Sequence, residues 1–216
     1  MAAKANHQSD TTQVDSPLRI IGGRLRGRKL KYSGRLDTRP MKDRVREAIF
    51  NLVGPSIKGM HAIDLFAGTG ALGLEAISRG AESATLVERH FPTADIIKEN
   101  ATSLGVDAAC EIVVFNTFLW VRRLEVSKER PWALFCSPPY DFYIERADEM
   151  RQLIENVLAA APAESVVVVE ADERFDASLL PDSELWDVRE YPPAVVAIRT
   201  VEGEAAEEDS AEEDAE

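Results

Sequence analysis

Between Met60 and Val201, apolar runs of strand length alternate with longer amphipathic stretches. The pattern predicts strands over His61–Phe66, Ala84–Glu88, Glu111–Phe115, Trp132–Cys136, Ser165–Glu170, Leu185–Glu190 and Val195–Val201. It predicts helices over Ala71–Arg79, Thr93–Leu104, Thr117–Val126 and Ile144–Ala160, with a short one near Ala177. Runs such as Val166–Val169 are apolar at every position, which fits strands covered on both faces. Strand–helix alternation of this kind builds a mostly parallel sheet with helices on either side. Only Tyr191-Pro192-Pro193 joins the last two strands. That is too short for a parallel crossover, so they should pair as an antiparallel hairpin. The expected fold is α/β, with seven strands.

The stretch before Met60 reads differently. Leu18 to Tyr32 alternates roughly, with Gly22-Gly23 and Gly27 as turn points, and is predicted to be a basic β-hairpin. Val45, Ile49, Leu52 and Val53 fall at i, i+4, i+7 and i+8, one face of a helix. Pro40 suits its first turn, and Gly54-Pro55 ends it. Four segments are therefore expected. These are a disordered polar N-terminus over 1–17, a basic hairpin and helix over 18–56, the α/β domain over 57–201 and a disordered acidic tail over 202–216.

Composition narrows the classes. In 216 residues, 45% hydrophobic and 29% charged, there is material for a real core. Two cysteines, Cys110 and Cys136, with three histidines exclude a disulfide scaffold and a Cys/His zinc module. No metal is expected, and both thiols read as small buried apolar groups. No apolar run approaches the roughly 20 residues that span a bilayer, and the polar start lacks the apolar core of a signal peptide. A cytoplasmic, monomeric protein with no membrane partner is expected.

The net charge of −13 conceals a segregation. Between Arg19 and Arg46 eleven basic residues face only Asp37 and Asp43, whereas Glu202–Glu216 holds nine acidic residues and no basic one. A basic arm points to a polyanion. Arg24, Arg26, Arg28 and Arg39 are its candidate contacts.

The segment Asp64-Leu65-Phe66-Ala67-Gly68-Thr69-Gly70-Ala71-Leu72-Gly73 ends the first sheet strand and opens a helix. Its glycines permit a tight turn and a ligand lying against the backbone. A nicotinamide dinucleotide would put a pyrophosphate at the helix N-terminus, where Asp64 would repel it. S-adenosylmethionine carries an ammonium group and no phosphate. Asp64 would face that cation, and Glu88, at the tip of the second strand, would accept the ribose hydroxyls. As a bland alternative, Asp64 caps the turn.

After the fourth strand comes Ser137-Pro138-Pro139-Tyr140. Two prolines stiffen the backbone and remove two donors, leaving carbonyls and the Ser137 oxygen as acceptors. An acceptor loop at the carboxyl end of a strand, beside an aromatic ring, suits a planar base with an exocyclic amine. Here the chain resembles the amino-group methyltransferases bearing Asp/Asn/Ser-Pro-Pro-aromatic. More closely, "RIIGGRLRGRKL", "DTRPMKDRVREAIFNLVG", "DLFAGTGALGLEAISRGA" and "SPPY" resemble the RsmD-type 16S ribosomal RNA (guanine-N2) methyltransferases, over about residues 18 to 200.

That resemblance implies a Rossmann-like class I methyltransferase fold and methylation of a guanine N2 amine in small-subunit RNA. The partner would be 16S ribosomal RNA or a small ribosomal subunit particle, and the cofactor S-adenosylmethionine. Ser137, Pro138, Pro139 and Tyr140 would be catalytic. Asp64, Phe66, Ala67, Gly68, Gly70, Glu88, Asn116 and Thr117 would hold the cofactor, and Arg39 would contact RNA or brace the active site. Ser137 stands where the family usually has Asp or Asn, and Asn116-Thr117 where it usually has an acid. Three other readings stay open: a DNA adenine or cytosine amino methyltransferase, a nicotinamide oxidoreductase, and a non-catalytic RNA-binding homologue.

Overall fold

The computed structural model describes residues 18–32 and 41–203. The expected disordered ends, apart from Glu202 and Gly203, and the Thr38-Arg39-Pro40 segment lie outside the described residues.

Seven strands form one sheet: β1 (His61–Asp64), β2 (Ser83–Val87), β3 (Cys110–Val113), β4 (Trp132–Cys136), β5 (Val166–Asp172), β6 (Asp187–Tyr191) and β7 (Ala194–Thr200). Their order is β3-β2-β1-β4-β5-β7-β6. The first five are parallel, β7 runs antiparallel to β5, and β6 pairs with β7 as the predicted hairpin. This is the mostly parallel α/β sheet that the alternation of apolar runs implied. The order reverses beside β1, between β1 and β4, the place where open α/β sheets bind ligands.

Two cores lie on opposite faces, sorted by the period-2 alternation of the strands. Ala62, Ala133, Phe135, Val166 and Val168 face one way, with Ile49, Phe50, Leu74 and Ile97. Ile63, Leu65, Trp132, Leu134, Val167 and Val169 face the other, with Met150, Leu153, Ile154 and Val157. The first face is covered by α1 (Asp43–Val53), α2 (Ala71–Arg79) and α3 (Phe91–Leu104). The second is covered by α4 (Thr117–Val121), α5 (Phe142–Glu145) and α6 (Ala147–Ala160). In α6 the buried set Met150, Leu153, Ile154 and Val157 is a single helical stripe. Strand β6 is the exposed edge, where Arg189 and Asp187 form an ion pair at 2.7 Å that discourages further pairing.

Several sequence expectations need correction. The helix predicted over Thr117–Val126 stops at Val121. Beyond it, Trp132 Nε1 donates to the Ser127 carbonyl (2.8 Å), drawing that segment back against β4 as irregular chain. The helix predicted over Ile144–Ala160 is two helices, broken at Arg146 (φ −134°, ψ 35°). No glycine or proline marks that break. The Arg146 guanidinium instead packs over the rings of Phe118 and Phe142, at 4.0 and 4.8 Å. The structure near Ala177 is a single 3-10 turn, Ala177–Leu179. On α1, Phe50 is buried where Leu52 was expected and packs against Phe135 at 5.3 Å; Leu52 is only half-buried. The helix begins at Asp43, after Pro40.

The segment from Leu18 to Tyr32 does fold back on itself, but with one bridging pair, Arg19 with Lys29, around a 3-10 turn at Gly23–Leu25. Its Ile20 and Leu30 belong to the same core as α1 and the sheet.

Candidate active site

Strands β1 and β4 are in register, Asp64 opposite Phe135, and the Leu65 amide donates to the Phe135 carbonyl (3.0 Å). The glycine loop after β1 and the Ser-Pro-Pro-Tyr loop after β4 therefore leave the sheet side by side. β2 flanks β1 and presents Glu88 at the same end.

Gly68 (φ 51°) and Gly70 (φ 76°) turn the chain in left-handed conformations that L side chains rarely adopt. Gly70 then caps α2. A Cβ on Gly73 would lie 2.7 Å from Leu86, so this third glycine lets α2 press onto β2. Phe66 is half-buried, Ala67 is buried, and the Ala67 amide donates to the Val87 carbonyl (3.0 Å), tying the loop to β2.

Asp64 is 1% exposed. Its Oδ2 accepts from the Gly73 amide (3.1 Å), whereas Oδ1 is buried with no hydrogen-bond partner. The Phe66 amide is near enough to favour the charge without forming a bond of ordinary geometry. Burial dominates, and the carboxyl is pushed up to about 7. Glu88 accepts from the Gly68 amide on one oxygen (2.9 Å) and the His90 amide on the other (2.8 Å). Each oxygen keeps lone-pair capacity for a further donor.

Asn116 and Thr117 are already engaged. The Asn116 carbonyl oxygen accepts from the Leu119 amide (3.2 Å) and caps α4, while the Thr117 hydroxyl donates to the Leu65 carbonyl (2.6 Å). Thr117 thus ties α4 to the end of β1.

In the second loop Pro138 is buried and Pro139 exposed. The Pro139 carbonyl, expected to be an open acceptor, accepts from the Phe142 amide (2.9 Å) and closes the turn into α5. Ser137 Oγ donates to Glu170 Oε2 (2.6 Å), and the Tyr140 hydroxyl donates to Glu170 Oε1. Glu170 is 2% exposed, on β5 beside β4; burial raises its carboxyl, and the two hydroxyls oppose that rise. Sequence reading missed Glu170. The signal was there: an acid that directly follows the apolar run Val166–Val169 and closes the strand predicted over Ser165–Glu170.

The basic arm is less free than its composition implied. Arg46 is fully buried, Arg19 pairs with Asp43 (3.2 Å), Lys31 with Glu99 (2.8 Å), and Arg44 donates to the Pro192 carbonyl (2.6 Å). Of the candidate RNA contacts, Arg28 is exposed but donates to the Ser103 carbonyl (2.5 Å). Arg24 and Arg26 are exposed and make no ion pair among the described residues. Arg39 lies outside the described residues. Gly23 serves the fold: a Cβ there (φ 73°) would lie 2.0 Å from the Ser78 carbonyl oxygen of α2.

Among the described residues no group of three or more His, Cys, Asp and Glu side chains is placed to hold a metal ion. No helix among them is long and apolar enough to cross a membrane.

The profile of the family described as "Conserved hypothetical protein 95" matches residues 18–196. The Escherichia coli (strain K12) protein "Ribosomal RNA small subunit methyltransferase D" is 33% identical over 211 residues, 97% of this chain and 99% of that protein. The chain belongs to the ribosomal RNA small subunit methyltransferase D family. A family member from Buchnera aphidicola subsp. Acyrthosiphon pisum, of the same name, is 35% identical over 127 residues, 58% of this chain and 64% of that one. Among solved structures, a hypothetical protein from Thermus thermophilus superimposes with a TM-score of 0.69 at 28% identity. That match covers 85% of this chain and 99% of the other. With this strand order and family membership, the sheet is that of a class I methyltransferase.

The family's cofactor can be tested against the site's own chemistry. Two carboxylates, Asp64 and Glu88, border the glycine loop, and the partnerless Asp64 Oδ1 needs a donor. An ammonium group and a ribose diol satisfy both requirements, and a phosphate satisfies neither. S-adenosylmethionine fits both residues; Glu88 would suit the ribose of a dinucleotide as well, but the Asp64 carboxylate would repel its pyrophosphate.

Proposed function

We propose that this chain transfers the methyl group of S-adenosylmethionine to the exocyclic N2 amine of a guanine in small-subunit (16S) ribosomal RNA. The observation that carries the reading is the adjacency of the two loops after β1 and β4, a carboxylate-lined cofactor loop beside an acceptor loop with an aromatic ring. Family membership supports the coarser statement, a ribosomal RNA methyltransferase.

When bound, S-adenosylmethionine supplies a methyl on a cationic sulfonium, whose carbon–sulfur bond breaks, leaving a neutral thioether, as the carbon–nitrogen bond forms. The protein's part is binding and orientation. Asp64 holds the ammonium end and Glu88 the ribose hydroxyls, while Phe66, Ala67, Gly68 and Gly70 shape the cleft between them. Asn116 and Thr117 act by fixing the start of α4 at its border. Tyr140 stacks on a base that is unpaired or turned out of its helix. The Ser137 oxygen and the Pro138 carbonyl accept the amine hydrogens. As positive charge develops on the nitrogen, those acceptors favour the transition state over the ground state. The proton then leaves to water. Exposed Arg24 and Arg26 meet RNA phosphates.

The test is transfer of labelled methyl to small-subunit RNA, to DNA or to neither, followed by mass spectrometry of the product nucleosides. N2-methylguanosine from RNA is expected. Methylated adenine or cytosine in DNA, or no transfer at all, would overturn the reading in favour of its rivals.

A further inference from the structure

Glu170 lies on β5, outside both loops, and has no part in binding the cofactor as described above. Yet it is a fully enclosed acid whose two oxygens are both taken by side chains of the Ser-Pro-Pro-Tyr loop, Ser137 Oγ at 2.6 Å and the Tyr140 hydroxyl. A serine hydroxyl has one hydrogen and two lone pairs. With its hydrogen spent on Glu170, the Ser137 oxygen can offer only lone pairs to anything else in the cleft. The charge-assisted bond also leaves that oxygen richer in electron density than a free hydroxyl. The Tyr140 bond occupies the carboxylate's other oxygen and holds the group in one orientation.

Resting on the methyltransferase reading, we propose that Glu170 is a positioning residue that makes Ser137 an obligate acceptor for the target amine. The Ser137–Glu170 pair then does the work of the Asp or Asn that the family usually carries at this position. An acceptor-only oxygen also selects its substrate. It receives an N–H of an exocyclic amine and turns away a ring carbonyl, whose lone pairs would face its own.

The experiment compares turnover and S-adenosylmethionine affinity for Glu170→Gln made in the wild-type chain, in Ser137→Ala and together with Ser137→Asn, on small-subunit RNA. The introduced glutamine presents an amide that can donate to Ser137 and release its hydrogen toward the cleft. Glu170→Gln alone should lower kcat roughly tenfold or more, the effect of losing one hydrogen bond to a charged group, with cofactor affinity unchanged. In Ser137→Ala the same change should cost less than about threefold, because the group through which Glu170 acts is already gone. Ser137→Asn brings a carbonyl acceptor of its own and should restore most of the turnover lost in Glu170→Gln. An equal loss in both backgrounds, no rescue by Ser137→Asn, or loss of cofactor binding in Glu170→Gln would make Glu170 a packing residue and overturn the proposal. Full wild-type turnover in Glu170→Gln would overturn it as well. Failure of the wild-type chain to methylate RNA would instead overturn the functional reading on which it rests.

Discussion

Glu75 and Asp64 are both sealed from solvent, at 0% and 1% exposure, and α2 touches both, yet their surroundings are opposite. Glu75 is saturated. One oxygen accepts from the Ile21 amide (2.7 Å), the other from the Gly22 amide (2.6 Å) and Arg79 Nε (2.8 Å), and buried Arg46 Nε stands 3.8 Å away. Asp64 has one oxygen bonded to Gly73 and the other to nothing. With all its bonds made inside the protein, Glu75 clamps the basic hairpin to α2. The unmade bond of Asp64 is the one that the proposed function assigns to the cofactor's ammonium group. Retaining the buried acid costs stability that the folded chain alone does not recover. Arg46 qualifies the comparison, since its Nε and Nη1 have no hydrogen-bond partner, but its Nη2 donates to the Arg19 carbonyl and Asp43, and Glu75 lies close by.

The largest test of that contrast is Glu75→Gln. Removing one partner of a buried ionic cluster leaves Arg46 enclosed without its main counter-charge and should cost about 3 kcal/mol or more of stability in denaturant unfolding. A change below about 1 kcal/mol would mean that the clamp is not structural. Asp64→Ala should behave in the reverse way. S-adenosylmethionine affinity, measured by calorimetry, should fall by about 1–3 kcal/mol, the worth of a hydrogen bond to a charged group. Stability should fall less than in Glu75→Gln, because the bond to Gly73 is lost while the cost of burying the acid is relieved.

A smaller effect follows from the Asp64 carboxyl, which sits near 7 in the free protein. An ammonium neighbour favours the ionised form. Below about pH 7 the group must lose its proton for the cofactor to bind. Affinity should therefore decline as pH falls, by at most about tenfold per unit, and level off above pH 7. The sign for stability is opposite. The folded carboxyl lies above its unfolded value of about 4, so its contribution is fully present below pH 4 and lost as pH rises through about 7. Asp64→Asn should flatten the affinity profile; an unchanged profile would assign the titration to another group.

The smallest effect on the fold should come from Arg24→Ala with Arg26→Ala, which remove exposed charges without ion-pair partners among the described residues. Stability should change by less than about 0.5 kcal/mol. The salt dependence of RNA affinity should flatten by about 0.7 log unit per log unit of salt for each phosphate that the two arginines meet. An unchanged slope would take these two residues out of the RNA surface.

How much of this was legible beforehand differs between the sheet and the site. The inner strands β1, β2, β4 and β5 were visible as apolar runs, because a strand covered on both faces is apolar at nearly every position, whereas the exposed edge strand β6 has no such run and lies at Asp187–Tyr191 where Leu185–Glu190 was predicted. The Asp64 and Ser137 loops were visible because glycine pairs and proline pairs leave strong local marks. The break at Arg146 and the end of α4 at Val121 were not, since a guanidinium packed on Phe118 and Phe142, and an indole bonded to the Ser127 carbonyl, are contacts that only the folded chain makes. The basic arm was legible as charge and misjudged as surface. Composition counts Arg46 and Arg24 alike, and burial separates them.

The amino-acid sequence by itself determined the α/β class, the antiparallel final hairpin, the two loops and the family likeness, because these follow from local periodicity, short connections and residue types at close spacing. Only the tertiary structure decided which partners each charge meets. It enclosed Glu75 in bonds to the hairpin, left an oxygen of Asp64 unpartnered, used Gly22 and Gly23 against α2, and set Glu170 behind Ser137 and Tyr140 across 33 and 30 residues of chain. A side chain's charge is written in its covalent structure. Its partners, and with them its protonation and its role, depend on neighbours that the chain brings together only when it folds.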